Sequence, residues 1–249
     1  MSNLQFRFDG TVVAITGAAI GIGKAAAEAF SAAGAHTYLL DIDESNGRAA
    51  ADGVGTFLRC DVTSADSIAE TFAAIDAAHG RLDVLVNNAG GFGTQRTTEE
   101  MGLDEWQKLI HLNLTSVFMM SSAAVPMLRK SEAGRIINIG SLAGQLTSYR
   151  TSPPYAAAKA GVHSLTRVMA SELAAEGITV NAIAPSAVLT ERIIQLRDEE
   201  ERAATARSIP MGRYQQTDEL ATWILFLATA EAGFATGQTI GVNGGRYMG

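Results

Sequence analysis

A doubly wound α/β fold around a parallel sheet is what the sequence predicts, and three observations predict it. Short β-branched apolar runs alternate with helical patterns along almost the whole chain. The runs are apolar at consecutive positions rather than alternate ones, the pattern of strands covered on both faces. Small polar and glycine-rich turns sit where the runs end, and no Pro-rich or charged linker breaks the alternation. The reading is therefore one domain spanning residues 1–249.

The expected strands cover residues 12–16, 37–40, 56–60, 84–86, 135–139, 179–183 and 239–242. A helix over 21–33 is rich in alanine and stopped by Gly34. The next, over 64–78, opens on Ser64 as a cap and closes before Gly80. A long helical pattern covers 99–128, in which Trp106 and Phe118 fit a core face. Another covers 155–176, stopped by Gly177, and the last covers 218–229. The charged, helix-prone stretch 191–207 follows a strand end directly. With its surroundings, 186–212, it reads as a lid over a substrate.

Composition narrows the function. A chain of 249 residues with 47% hydrophobic content can bury a sizeable core, and a formal charge of −7 leaves no basic stripe for nucleic acid or an anionic membrane. The single Cys60 forms no internal disulfide, which points to a reducing cytosol and a cytoplasmic protein. The N-terminus shows no basic region followed by an apolar one, so no signal peptide is expected. The apolar run 221–230 is too short for a membrane span and reads as a buried helix. His111 and His163 have no partner at metal-ligand spacing, so both read as structural and no metal is expected.

Thr16-Gly-Ala-Ala-Ile-Gly-Ile-Gly23 follows the first strand and opens the first helix. Glycines there let the backbone turn sharply and approach a pyrophosphate, whose charge then meets the helix N-terminus. A plain tight turn explains three glycines equally well. Asp41 ends the second strand, where a carboxylate accepts hydrogen bonds from ribose hydroxyls and repels a 2′-phosphate; positions 18–20 and 42–44 hold no Lys or Arg. Alone, Asp41 reads more simply as a cap for the next helix. Asp61-Val62 follows the third strand and Asn87-Asn88-Ala89-Gly90 the fourth. These are further small turns at the strand edge where open parallel sheets bind ligands.

Tyr155 and Lys159 stand one helical turn apart and share a face. A nearby ammonium favours a phenolate, and a phenol brought nearer neutrality can give or take the proton of an alcohol oxygen. Ser141 follows the fifth strand and can hydrogen-bond the same oxygen. Each residue alone admits a structural role: Ser141 a turn, Tyr155 packing, Lys159 solvation.

Together, Thr16-Gly-(x)3-Gly-Ile-Gly, Asn87-Asn-Ala-Gly90, Asn113, Ser141 and Tyr155-(x)3-Lys159 occur in the order of the short-chain dehydrogenase/reductase superfamily. Val180-Asn-Ala-Ile-Ala-Pro185 and the stretch 236–245 resemble later signatures of that family, so the resemblance runs from about Gly10 to Gly245. It implies a Rossmann-type seven-stranded parallel sheet of order 3-2-1-4-5-6-7 with helices on both faces. It also implies hydride transfer between nicotinamide and an alcohol/carbonyl pair. On this resemblance Tyr155 is the acid/base. Lys159 lowers its pKa and holds the nicotinamide ribose, Ser141 orients the carbonyl, and Asn113 supports a water through which protons reach solvent. Gly17, Ile22, Asp41, Asp61, Val62, Asn88 and Gly90 line the dinucleotide, with Val188 and Thr190 at the carboxamide. The cofactor expected from Asp41 is NAD. The expected assembly is a homotetramer or homodimer through the long helices and the C-terminal region.

Two departures from the family pattern stand out. Ser186 follows Pro185 where many members have Gly, which would tighten the nicotinamide pocket. The gap from Ser141 to Tyr155 is one residue longer than usual, with a bulge expected near 148–152; Ser141 is preferred to Ser148 and Ser152, which lie too far from the strand end. Residues 91–96 and 142–154 are expected to wall the substrate cleft, and Arg150 and Arg192 are candidates to meet an anionic substrate, solvent exposure or a salt bridge being the simpler reading. The runner-up activity is reduction of a 3-oxoacyl thioester, against which Asp41 weighs because such enzymes often use NADPH. A non-catalytic NAD(H)-binding regulator is disfavoured by the intact Ser-Tyr-Lys-Asn set. A lyase or epimerase is disfavoured by the lack of an added substrate domain.

Overall fold

Seven apolar runs pair side by side, all parallel: β1 (Val12–Thr16), β2 (His36–Asp41), β3 (Thr56–Arg59), β4 (Val84–Asn87), β5 (Arg135–Ile139), β6 (Thr179–Pro185) and β7 (Thr239–Val242). Their order is β3-β2-β1-β4-β5-β6-β7. The computed structural model describes residues 5–146 and 151–248, so Ser148, Arg150 and most of the expected bulge lie outside the described residues. Val13 pairs with Thr37 of β2 on one side and Val84 of β4 on the other, which puts the reversal of strand order at β1. A doubly wound sheet opens a crevice beyond the carboxyl ends of its strands at that reversal.

Helices cover both faces. On one side Phe30 of α1 (Gly21–Ala32) and Ile224 of α9 (Thr217–Ala228) pack on Val13, Ile15 and Leu39. On the other, α3 (Ala65–His79), α5 (Ser116–Leu128) and α6 (Pro153–Leu173) bring Ile75, Met120, Leu128 and Met169 against Val12, Ala14 and Leu40. Strands β1, β4, β5 and β6 are buried along their whole length, whereas edge strand β3 is half-open. Ser64 accepts from the Ser67 N–H at the start of α3, and Gly80 ends it at φ +68°. The stretch 191–207 holds two short helices, α7 (Glu191–Leu196) and α8 (Glu199–Arg207), and the run 221–230 contributes the buried face of α9.

Three elements differ from expectation. Helix α2 (Glu44–Ala51) was not expected, because Asn46 and Gly47 are weak helix formers. Asp43 starts it by accepting from the Asn46 N–H at 3.0 Å, and Gly47 is needed because the Phe57 ring occupies the space a Cβ would take. The cap is thus Asp43, not Asp41. The long pattern from 99 begins only at α4 (Leu103–Ile110), then passes through a π turn, His111–Thr115, into α5. Phe118, expected in the core, is 54% exposed, because the buried face of α5 runs through Val117, Met120, Ser121 and Ala124, one position round; Trp106 is half-buried. Among the described residues, one continuous helical run, Leu103–Leu128, is long and apolar enough to cross a membrane by length and composition. Here it packs on the sheet through Met120, Ala124 and Leu128, as a core helix does.

Candidate active site

The carboxyl ends of β1 to β6 open on a cleft of about 700 Å³. Gly17, Ile22, Asp41, Asp61, Val62, Asn88, Gly90, Ser141, Tyr155, Lys159, Val188 and Thr190 all line it, although they come from six different strand–helix connections. Asn113 does not. Its amide donates to the carbonyls of Gly91 and Leu109, both at 2.9 Å, and accepts from the Gly91 N–H at 3.0 Å. It pins the turn after β4 onto the π turn.

The glycine loop is built for close approach. Gly17 adopts φ +64°, and a Cβ there would lie 2.8 Å from Ala89 Cα. At Gly23 a Cβ would strike the Gly17 carbonyl oxygen. Ile20, at the N-terminus of α1, supplies no side-chain cap, and the first turn holds no acidic residue. Its N–H groups are therefore free for an anionic group, which fits a pyrophosphate. Three ties hold the loop. Asn88 Nδ2 donates to the carbonyls of Thr16 and Gly17, both at 2.9 Å. Thr16 Oγ1 accepts from the N–H groups of Asn88 at 2.9 Å and Ala89 at 3.0 Å. Asp41 accepts from the N–H of Ala19 at 3.0 Å through Oδ2 and from that of Asp43 at 3.0 Å through Oδ1. Each Asp41 oxygen accepts one such bond and keeps capacity for another, and Asp41 lines the cleft, which fits a ribose diol. The basic residues lining the cleft are Lys108, Lys159 and Arg192, none on the β2 or β3 connections.

At the other end, β5 and α6 place the reactive side chains. Pro153 and Pro154 open α6, so Tyr155 sits in its first turns with Lys159 one turn on. Lys159 is buried, and its Nζ donates to the Ile139 carbonyl at 2.7 Å and lies 5.7 Å from the centre of the Tyr155 ring. Ser141 lines the cleft with Tyr155, and its Oγ accepts from the Ala143 N–H at 3.1 Å. Beneath them runs a buried polar ladder: Asn87 Nδ2 donates to Ser121 Oγ and to Asn138 Oδ1, and Asn138 Nδ2 donates to Thr166 Oγ1, each at 2.9 Å. It locks β4, β5, α5 and α6 together under the site.

The electrostatics depart from expectation. Burial raises the Tyr155 pKa above its ordinary value; the Ser141 hydrogen bond and the positive charge of Arg192 pull it down by less. Lys159, expected to lower it, is itself pushed down to about 8 by burial. Desolvation thus opposes the charged form of both residues. Ser186 lines the cleft, but its hydroxyl donates to the Asn243 carbonyl at 3.1 Å, which ties the β6 connection to the C-terminal region. Of the expected cleft walls, Gly91 and Phe92 line it; 93–96 and the described part of 142–154 do not. His111 Nε2 lies 3.0 Å from the Thr63 carbonyl, a structural contact. Sequence reasoning had Thr16 and Asn87 only as members of motifs and Phe92 only within the expected wall 91–96, and it passed over Asn138 and Thr166, because single buried polar residues carry no periodic signal.

Comparison with known proteins agrees with this arrangement. A family profile described as enoyl-(acyl carrier protein) reductase matches residues 17–246. The chain is 40% identical over 243 residues to the 3-oxoacyl-[acyl-carrier-protein] reductase FabG of Vibrio harveyi, covering 96% of this chain and 98% of that protein. It is 38% identical to trans-4-hydroxycyclohexanecarboxylate dehydrogenase of Sinomonas cyclohexanicum, covering 100% of this chain and 97% of that protein. The crystal structure of gox2181 superposes with a TM-score of 0.92 at 31% identity over 96% of each chain. From the ordered motifs, the seven-stranded topology and these full-length relatives, the chain belongs to the short-chain dehydrogenase/reductase superfamily of oxidoreductases.

Proposed function

We propose that the protein is an NAD(H)-dependent oxidoreductase that interconverts a secondary alcohol and a ketone, with Tyr155 as general acid/base. The observation that carries the reading is the sharing of one cleft by Asp41 at one end and the Ser141–Tyr155–Lys159 cluster at the other. Bound nicotinamide supplies or accepts the hydride. The chain's own residues handle the proton. In reduction the Tyr155 hydroxyl donates its proton to the carbonyl oxygen as that oxygen gains charge; in oxidation the tyrosinate takes the alcohol proton. Ser141 donates to the same oxygen and fixes its position; its Oγ is itself held in place by the Ala143 N–H. Lys159 holds a positive charge 5.7 Å from the centre of the Tyr155 ring and would hold the ribose of a bound nicotinamide cofactor. Asn113 fixes the Gly90–Gly91 turn that forms the facing wall. Gly17, Ile22, Asp61, Val62, Asn88, Val188 and Thr190 complete the dinucleotide groove, and 186–212 closes over the substrate. The whole forms one domain that works in the cytoplasm as a homodimer or homotetramer.

Asp41 sets NAD over NADP, because its negative charge stands where a 2′-phosphate would lie and no Lys or Arg lines that end of the cleft; Arg59, its partner on β3, is not among the lining residues. Titrating NADH and NADPH at fixed ionic strength tests this. NADH should bind more tightly, and Asp41→Asn, which keeps one acceptor for the loop, should narrow the gap. Tighter NADPH binding to the wild type would refute the assignment. Tyr155→Phe should lower turnover by roughly 10²- to 10⁴-fold while NADH affinity stays within a few-fold. The second reading, a 3-oxoacyl-thioester reductase, is favoured by the relatives that bear that name. Reduction of an acetoacetyl thioester faster than that of free oxo acids would select it.

A further inference from the structure

The mechanism leaves two cleft cations unused, Lys108 and Arg192, and of these Arg192 is the one packed toward Tyr155 through an aromatic ring. Arg192 stands in α7 (Glu191–Leu196), just after Thr190, and lines the cleft. Its guanidinium carbon lies 5.2 Å from the centre of the Phe92 ring, and that ring meets Tyr155 edge to face, with centroids 6.5 Å apart. Phe92 therefore lies between the guanidinium and the Tyr155 ring and touches both. The fit is close on the other side as well. A Cβ on Gly91 would come within 3.0 Å of Arg192 Nη1, so Gly91 leaves room for the fork.

Among the described residues no carboxylate pairs with Arg192, and no other arginine lines the cleft. Its neighbour Glu191 turns away and reaches toward Gly21. The acidic residues that line the cleft, Asp41, Asp43 and Asp61, all belong to the β2 and β3 connections at the opposite end. A chain with a formal charge of −7 has carboxylates to spare, yet offers none here. An unpaired planar fork stacked on an aromatic ring is arranged to receive a carboxylate in two parallel hydrogen bonds.

We propose that Arg192 anchors a substrate carboxylate, so that the carbinol or carbonyl presented to Tyr155 belongs to a free, ionised hydroxy acid or oxo acid. The proposal rests on the oxidoreductase reading above and names the substrate class of that site. A thioester of the same acid has no charge at that carbon and leaves the guanidinium unpaired. The positive charge also helps the phenol release its proton, and Arg192 already draws the Tyr155 pKa down.

Calorimetric titration with cyclohexanecarboxylate and its neutral amide tests the anchor without needing the natural substrate. Wild type, Arg192→Met and Arg192→Lys are compared with and without NADH. Wild type should prefer the carboxylate by about tenfold or more. Arg192→Met should weaken carboxylate binding by roughly 10- to 100-fold, as loss of a charge-assisted hydrogen bond implies, and leave the amide unchanged. Arg192→Lys should restore part of the preference, since an ammonium keeps the charge without the fork. Equal affinities on the wild type, no binding of either ligand, or a preference that survives Arg192→Met would overturn the anchor. Failure of NADH to bind while the carboxylate preference holds would instead sink the cofactor reading and leave the anchor standing.

Discussion

At the scale of the residue, the site sets burial against charge. Lys159 is 4% exposed, and its pKa falls to about 8 from the ordinary 10.5. An unfolded lysine binds its proton below about 10.5 and the folded one only below about 8. Between those values the unfolded state holds more protons, so wild-type stability rises with pH across that window; below it the fold carries the full penalty of a buried ammonium. Lys159→Met removes that penalty and also strands the Ile139 carbonyl, whose cost does not depend on pH. The expected result is that the variant's stability relative to wild type is greatest near pH 7 and declines steadily from about pH 8 to pH 10.5. Thermal unfolding of both proteins across that range measures it. A flat difference would mean that the ammonium is not desolvated. Turnover should fall in the same variant, so the site keeps a destabilising charge because the chemistry needs it. The motif identified the Tyr155–Lys159 pair, but its electrostatics depend on packing by distant residues and could not be read from spacing.

At the scale of the element, the cofactor end is a set of strand ends tied together by side chains. The sequence made the glycines, Asp41 and the Asn88 turn legible, because local conformation and helix dipoles depend on near neighbours. Helix α2 and the exposure of Phe118 were not legible. One depends on the fit of Gly47 under Phe57, the other on which face of α5 meets the sheet. Thr16 shows the same limit: the motif includes it, but spacing gives its hydroxyl no partner. In the fold its buried Oγ1 is the acceptor for two N–H groups from a segment more than seventy positions away. Thr16→Val keeps the shape and strands both donors. Each unsatisfied buried donor costs ~1–3 kcal/mol, so chemical denaturation should show a loss of about 2–6 kcal/mol, less where water reaches the turn. NADH affinity should drop with it, and Thr16→Ser should restore most of both. An NADH affinity unchanged in Thr16→Val would show that the loop holds its shape without this tie.

At the scale of the whole molecule, the response to acid follows from how the core and the site share α6. His163 continues the face of Tyr155 and Lys159 one turn further and is 5% exposed, with its ring against Gly140 and Gly144 and no partner for Nε2. Burial, then the charges of Lys159 and Arg167, push its pKa down to about 4 from 6.5. A histidine depressed in the fold is neutral there while its unfolded counterpart takes up a proton, so the unfolded state gains protons as pH falls from about 6.5 to about 4. Stability must decline through that window, before carboxylate pairs such as Glu219 with Arg213, held down to about 2, begin to titrate in the folded state. Both ends of the cleft depend on the same sheet, so cofactor binding should weaken as global unfolding begins. His163→Leu removes the titrating ring. Its absolute stability depends on repacking beside two glycines, but the slope between pH 6.5 and pH 4 does not. The wild type should lose markedly more stability over that interval than the variant, by up to roughly 3 kcal/mol from a shift of this size. Parallel curves for the two proteins across that range would show that His163 takes up its proton in the folded state as readily as in the unfolded one.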